Sequence, residues 1–303
     1  MRKLWHDQHM TFRGGIDKPE NLARTGGGGG GRIAVGGGVG TLLLVGLFLL
    51  MGGDPSQLGG LIGSDSQQQP QQQTAPGQLE HCKTSDDANR YADCRVEFTG
   101  ISLNQVWSAQ LPQQADITYS KPNLVVFDAQ TSTGCGLASS STGPFYCPRD
   151  HTAYFDVSFF DSLERYGGQN APFAQEYIVA HEFGHHIQSL EGTLGLSDYN
   201  DPGPDSNAVK IELQADCYAG VWGHFADKGE DAFLEPITQS QVEQAIDAAR
   251  AVGDDNIQQR AGRDVNPESF THGSSQQRQE AFLQGYRTGS MASCDYLDRN
   301  AYR

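Results

Sequence analysis

The sequence predicts an α+β domain, a small sheet with a helical core, preceded by one membrane-spanning helix. Three observations predict it. A helical pattern from Pro172 to Leu190 carries the spacing H-E-x-x-H. Two runs, Leu124–Asp128 and Ala153–Phe160, read as strands between helical segments. Upstream, Ile33–Met51 contains 19 residues and no charge, which at about 1.5 Å rise per residue just spans a bilayer.

The helical pattern around His181 comes first. Pro172 stands where a first turn tolerates proline, because its missing N–H would be unpaired there anyway. Phe173, Tyr177, Ile178, Phe183, Ile187 and Leu190 supply a broad apolar surface, and Gly192 is placed to cap the C-terminus. Gly184 costs about 1 kcal/mol in mid-helix relative to alanine, so a close packing neighbour is expected. On such a helix His181 and His185 lie one turn apart on one face and can grip one ion. Glu182, about 100° round, can reach a water on that ion without ligating it. This is the layout of a zinc hydrolase with a glutamate general base.

The spacing alone arises by chance in roughly one chain per hundred of this length, so a third ligand is needed. Asn207–Gly220 reads as a second helix, with Glu212 and Asp216 four residues apart. Glu212 can complete a His-His-Glu set for one Zn2+. Asp216 can accept a hydrogen bond from the far nitrogen of a ligand histidine and fix its tautomer. A solvated carboxylate pair is the competing reading, but Ala208, Ala215, Ala219 and Gly220 mark a tightly packed face.

His181-Glu-Phe-Gly-His-His-Ile-Gln188, Glu212-Leu-Gln-Ala-Asp-Cys-Tyr-Ala-Gly220 and Phe270-Thr-His-Gly-Ser-Ser-Gln-Gln-Arg278 together resemble the bacterial neutral zinc metallopeptidases. The likeness runs from the apolar N-terminal segment almost to the C-terminus. It implies a membrane-anchored, zincin-like endopeptidase with a glutamate as third ligand and a protein or peptide as substrate. In some zincins of this kind a histidine, followed six residues later by an arginine, steadies the oxyanion. By that resemblance His272 is the candidate catalytic partner of Glu182, and Arg278 supports it. The competing reading of His272 is a loop histidine ahead of a helix N-cap.

Along the chain, residues 1–32 hold six Lys/Arg and three Asp/Glu, and Gly26–Gly31 is a glycine run. This part reads as a basic, flexible tail. Placed before residues 33–51, it predicts a cytoplasmic N-terminus and a catalytic domain outside the inner membrane, with the bilayer contacted through the span. A cleaved signal peptide is the rival, but the apolar stretch exceeds a usual h-region and no A-x-A site follows. Residues 52–78, rich in Gln, Pro, Gly and Ser, read as a linker. The domain is expected from 79 to 303. With residues 1–32 set aside, 15 basic and 34 acidic residues remain, a balance that argues against nucleic acid as a partner.

All six cysteines fall in residues 79–303. An even count on the external side fits three disulfides, with fifteen possible pairings. Proximity favours Cys82–Cys94 and Cys135–Cys147, leaving Cys217–Cys294. No C-x-x-C suggests a cysteine-bound zinc. Ser102–Leu111 reads as a short helix. By resemblance, Tyr146–Val157 is the candidate edge along which an extended substrate would lie; an interior strand of a small sheet is the competing reading. Leu194–Ser206 has turn chemistry suited to a cleft rim. Thr238–Gln241 and Ser274–Gln277 are capping boxes that open two further helices. A proteolytically idle zinc-binding module and an amidase acting on cell-wall peptides remain open beside the peptidase reading.

Overall fold

The computed structural model describes residues 10–26, 77–140 and 142–302. Strands β1 (Ala23–Thr25), β2 (Asn123–Phe127), β3 (Gln130–Thr133), β4 (Gly136–Ser139), β5 (Phe145–Cys147) and β6 (Thr152–Asp156) form two sheets. The larger has the order β1-β2-β6-β5, and β3–β4 is a separate antiparallel hairpin. β1, β2 and β6 are parallel, with Leu124 facing Ala23 on one side and Ala153 on the other. Every residue of β6 is buried, as expected of a strand with neighbours on both sides and helices against the sheet. β5 pairs antiparallel to β6 and forms the edge. The edge role expected for Tyr146–Val157 therefore belongs to β5, while β6 is interior.

The helices are α1 (Ser85–Arg90), α2 (Ala92–Ala115), α3 (Phe159–Ser162), α4 (Pro172–Glu191), α5 (Asn207–Phe225), α6 (Gln239–Ala251), α7 (Asp254–Arg260) and α8 (Ser275–Thr288). α4 begins with Pro172 in its first turn and ends at Gly192 in the left-handed region, φ 73°. Both capping boxes form, Thr238 with Gln241 on α6 and Ser274 with Gln277 on α8. α4 lies in the centre of the core. Its Phe173 stacks on Trp222 of α5 at 6.0 Å, and Tyr177 meets Phe282 of α8 edge-on at 5.4 Å.

Two close approaches fix how the helices cross. A Cβ on Gly184 would lie 2.8 Å from the Ala215 carbonyl oxygen, so α4 and α5 meet backbone to backbone. Gly285 of α8 and Gly220 of α5 do the same at a second crossing, where a Cβ on Gly285 would sit 1.9 Å from the Cys217 oxygen. Glycine is required at both because any side chain would push the helices apart.

The disulfides are Cys82–Cys94, Cys135–Cys147 and Cys217–Cys294, the pairing that proximity favoured. The last ties the C-terminal region to α5.

Three expectations are corrected. Residues 10–26 are not a free tail: Phe12 and Ala23 are fully buried, and β1 is a strand of the main sheet. The domain accordingly includes a segment ahead of the position where it was expected to start. The helix expected at 102–111 is α2, 24 residues long; its buried Glu97, Thr99, Ser102 and Asn104 interrupt the apolar pattern that would have revealed it. The strand expected to reach Phe160 ends at Asp156, and Phe159–Ser162 turn into α3. The expected span, Ile33–Met51, lies outside the described residues; among those described, no helix is long and apolar enough to cross a membrane.

Candidate metal centre and active site

His181 and His185 project from one face of α4, and Glu212 meets them from α5. The two Nε2 atoms are 3.1 Å apart. Glu212 Oε2 is 3.2 Å from His181 Nε2, and Oε1 is 3.7 Å from His185 Nε2. Donors at about 2.0–2.1 Å from a tetrahedral zinc lie about 3.3 Å from one another, so the set has the spacing a single Zn2+ would impose. All three side chains are buried.

Each imidazole is oriented through its far nitrogen. His181 Nδ1–H donates to Asp216 Oδ1 at 2.8 Å, and His185 Nδ1–H donates to Gln188 Oε1 at 2.8 Å. Both Nε2 lone pairs are thereby turned toward the shared point, as in metal sites whose outer acceptors set the tautomer. Gln188 is held in turn: its amide donates to the Ile211 carbonyl at 2.7 Å and to Gln214 Oε1 at 3.0 Å. Asp216 also accepts from the Tyr177 hydroxyl and from Arg278, whose Nε and Nη2 lie 2.7 and 2.9 Å from its two oxygens. This buried Arg278–Asp216 pair is what the Gly285–Gly220 crossing brings together.

Titration behaviour follows from this crowding. Burial lifts Glu182 to about 7, against the pull of His181. Burial alone would strip the proton from His181, but Asp216 and Glu212 outweigh it and bring the ring to about 10. Burial takes His185 down to about 4. The two nitrogens are 3.1 Å apart, and a cation bound between them would displace any proton held there. Asp216 is drawn down to about 2 despite its burial, chiefly by Arg278 and then His181. The residues present fit one zinc.

His181, Glu182, His185, Glu212, His272 and Arg278 all line one cavity of about 110 Å³. The expected set is brought together in full. Arg278 acts on Asp216 and lies 3.4 Å from His181 Nδ1, behind the ligands. Besides Gln188, two residues that the sequence did not single out complete the site. Asp254, at the start of α7, accepts the backbone N–H groups of Thr271, His272 and Gly273 at 2.8, 2.7 and 3.0 Å, and faces His272 Nδ1 at 3.3 Å. Tyr199, from the 194–206 loop, donates to Glu212 Oε1 at 3.3 Å. Gln188 had a signal, being one turn from His185 on the same helix; Asp254 had none, because the loop return that brings it to His272 is purely tertiary.

Among the described residues one other group has metal-ligand chemistry, His81, Cys82, Asp93 and Cys94. Its two sulfurs are joined to each other, which removes both thiolates as ligands.

The family model described as "Putative neutral zinc metallopeptidase" matches residues 5–297. The chain belongs to this family. Relatives include the uncharacterized protein Rv2575 of Mycobacterium tuberculosis, 47% identical over 257 residues that cover 82% of this chain and 84% of the relative. The uncharacterized protein YpfJ of Escherichia coli K12 is 40% identical over 216 residues, 69% of this chain and 73% of the relative. No solved structure matches at a significant level. The zinc in the family's name is consistent with the His181–His185–Glu212 donor set.

Proposed function

We propose that this family member is a zinc-dependent endopeptidase that cleaves extended polypeptides on the external side of a bacterial membrane. The observation that carries the reading is a general-base carboxylate, Glu182, in the same cavity as three converging zinc donors. Zinc at those donors would supply an activated water and a positive charge for the scissile carbonyl oxygen. Glu182, with a pKa lifted toward neutrality, takes a proton and returns it to the leaving amine. The Tyr146 main chain favours its charged form. In this reading His272, steadied by Asp254, donates to the developing oxyanion.

Substrate placement follows from β5. It is the edge strand of the described sheet, and Tyr146 within it also lines the cavity. A strand added beside β5 would carry its backbone past Glu182. Phe145, Phe159, Ile178 and Val252 wall the cavity, which favours an apolar side chain next to the cut. Three disulfides support an oxidising compartment.

The test is metal content and cleavage of a denatured protein or peptide library by the purified chain, for wild type and Glu182→Gln. One zinc per chain in both, with cleavage reduced by about 10²–10⁴-fold in the variant, is the expected result. Zinc in both and cleavage by neither would overturn the peptidase reading. A folded chain that takes up no zinc would overturn the site.

A further inference from the structure

We infer that residues 10–26 and the catalytic domain lie on the same side of any membrane that residues 33–51 meet. In the folded protein residues 10–26 and the active site are therefore not in different compartments. The inference rests on the fold and is independent of the peptidase reading.

The two ends of the intervening stretch are hydrogen-bonded to each other. Thr25 N–H donates to the Gly77 carbonyl at 2.8 Å, Gly77 N–H donates to Thr25 Oγ1 at 2.8 Å, and Arg24 pairs with Gln78 in an antiparallel bridge. The N-terminal segment is also built into the core. Phe12 is fully buried and meets Phe98 edge-on at 5.9 Å. Asn89 receives the backbone N–H groups of Thr11 and Phe12 and donates to the Phe12 carbonyl. Buried Glu97 accepts from Lys18 Nζ and from the Leu22 and Ala23 N–H groups at 3.0, 3.0 and 3.1 Å. Withdrawing residues 10–26 would leave that carboxylate buried without any of these three donors, a state that proteins avoid.

Parity then decides the topology. Ends on one side require an even number of crossings. Residues 27–76 contain one uncharged stretch of spanning length, Ile33–Met51, while 52–76 carry Asp54, Asp65, three prolines and a glutamine-rich run and cannot supply a second. Two of the six basic residues that suggested a cytoplasmic tail have other work: Lys18 pairs with Glu97, and Arg13 donates to the Leu234 and Glu230 carbonyls at 3.0 and 3.1 Å. Cleavage after Met51 as a signal peptide would remove β1 and Phe12 from the domain.

All six native cysteines are in disulfides, so one added cysteine is the sole free thiol of the full chain. Asn21→Cys in the N-terminal segment and Ser240→Cys on α6, both at exposed positions, would be labelled with a membrane-impermeant maleimide in intact and lysed spheroplasts. The expected result is the same intact-to-lysed ratio at both positions. A second variant, Arg24→Cys/Gln78→Cys, places two cysteines across the bridge, within disulfide reach, and is expected to cross-link in the full-length chain. Ser240→Cys labelled from outside, with Asn21→Cys protected until lysis and the 24/78 pair open, would overturn the inference. Both sites protected, with the cross-link closed, would support it while overturning the external placement.

Discussion

Helices α4 and α5 meet through bare backbone, with Gly184 against Ala215, and only then do His181, Glu212 and Asp216 come within reach of one another. Residues 10–26 are attached in a different way. Besides the buried Phe12 and Ala23 and the pairing of β1 with β2, what binds them is a set of acceptors on the helices, Asn89 on α1, Glu97 on α2 and Glu176 on α4, each taking donors from the incoming segment. The first region is specified by shape and by one buried ion pair. The second is specified by polar satisfaction. The two should therefore fail differently: the helix pair through lost charge pairing and lost metal, the N-terminal segment through lost packing and through deprotonation of a buried carboxyl as pH rises.

The largest effect is expected at Asp216. Asp216→Ala leaves Arg278 buried without its carboxylate, which costs about 3–5 kcal/mol, and removes the acceptor that orients His181, worth about 10–100-fold in metal affinity. Denaturant melts and competitive zinc titration measure the two losses. The double variant Asp216→Ala/Arg278→Met should recover much of the stability and none of the affinity. Recovery of both would show that Asp216 serves the fold alone.

Next is Phe12→Ala, expected to cost about 3–5 kcal/mol as a large-to-small change in a closed core. Zinc stoichiometry should be unchanged, since Phe12 touches no ligand. A melt within 0.5 kcal/mol of wild type, the range usual for surface sites, would show that the segment is not part of the folded unit.

Asp254→Asn is expected to lower kcat by about 10-fold, or about 1.4 kcal/mol, with little change in KM, because Asp254 reaches the reaction only through His272. An unchanged kcat would remove His272 from the oxyanion role.

How much of this could be read from residue order follows the same division. The ligands, the general base, both capping boxes and the Pro172 and Gly192 boundaries are local patterns: partners three or four residues apart on one helix, or fixed positions at its ends. They stand in the structure where spacing put them. The N-terminal segment carries no such pattern. Its three-residue strand is too short for alternation, and its partners lie 52 to 224 residues away. Basic residues next to a glycine run imitate a tail because the carboxylate that neutralises Lys18 is on α2. Asp254 is hidden for the same reason, since its role depends on a backbone loop that arrives 17 to 19 residues later.

The smallest expected effect at any one pH step tests the acceptor that joins both regions. Glu176 lies on α4, five residues before His181, and accepts the Thr11 hydroxyl. Burial raises its pKa from 4.5 to about 8, with Thr11 and Arg95 of α2 opposing. A raised carboxyl keeps its proton when folded and loses it when unfolded between those two values. Its contribution to stability is then fully present below about 4.5, declines as pH rises, and is gone above about 8. The slope is at most about 1.4 kcal/mol per pH unit. Glu176→Gln has nearly the same shape and does not titrate, and its amide oxygen can still accept from Thr11. Urea melts of the two proteins at pH 5, 6, 7 and 8 should diverge, with the variant gaining on wild type by about 1 kcal/mol per unit as pH rises. Parallel lines would mean that Glu176 is charged in the folded protein, and that Arg95 rather than Thr11 is the partner that matters.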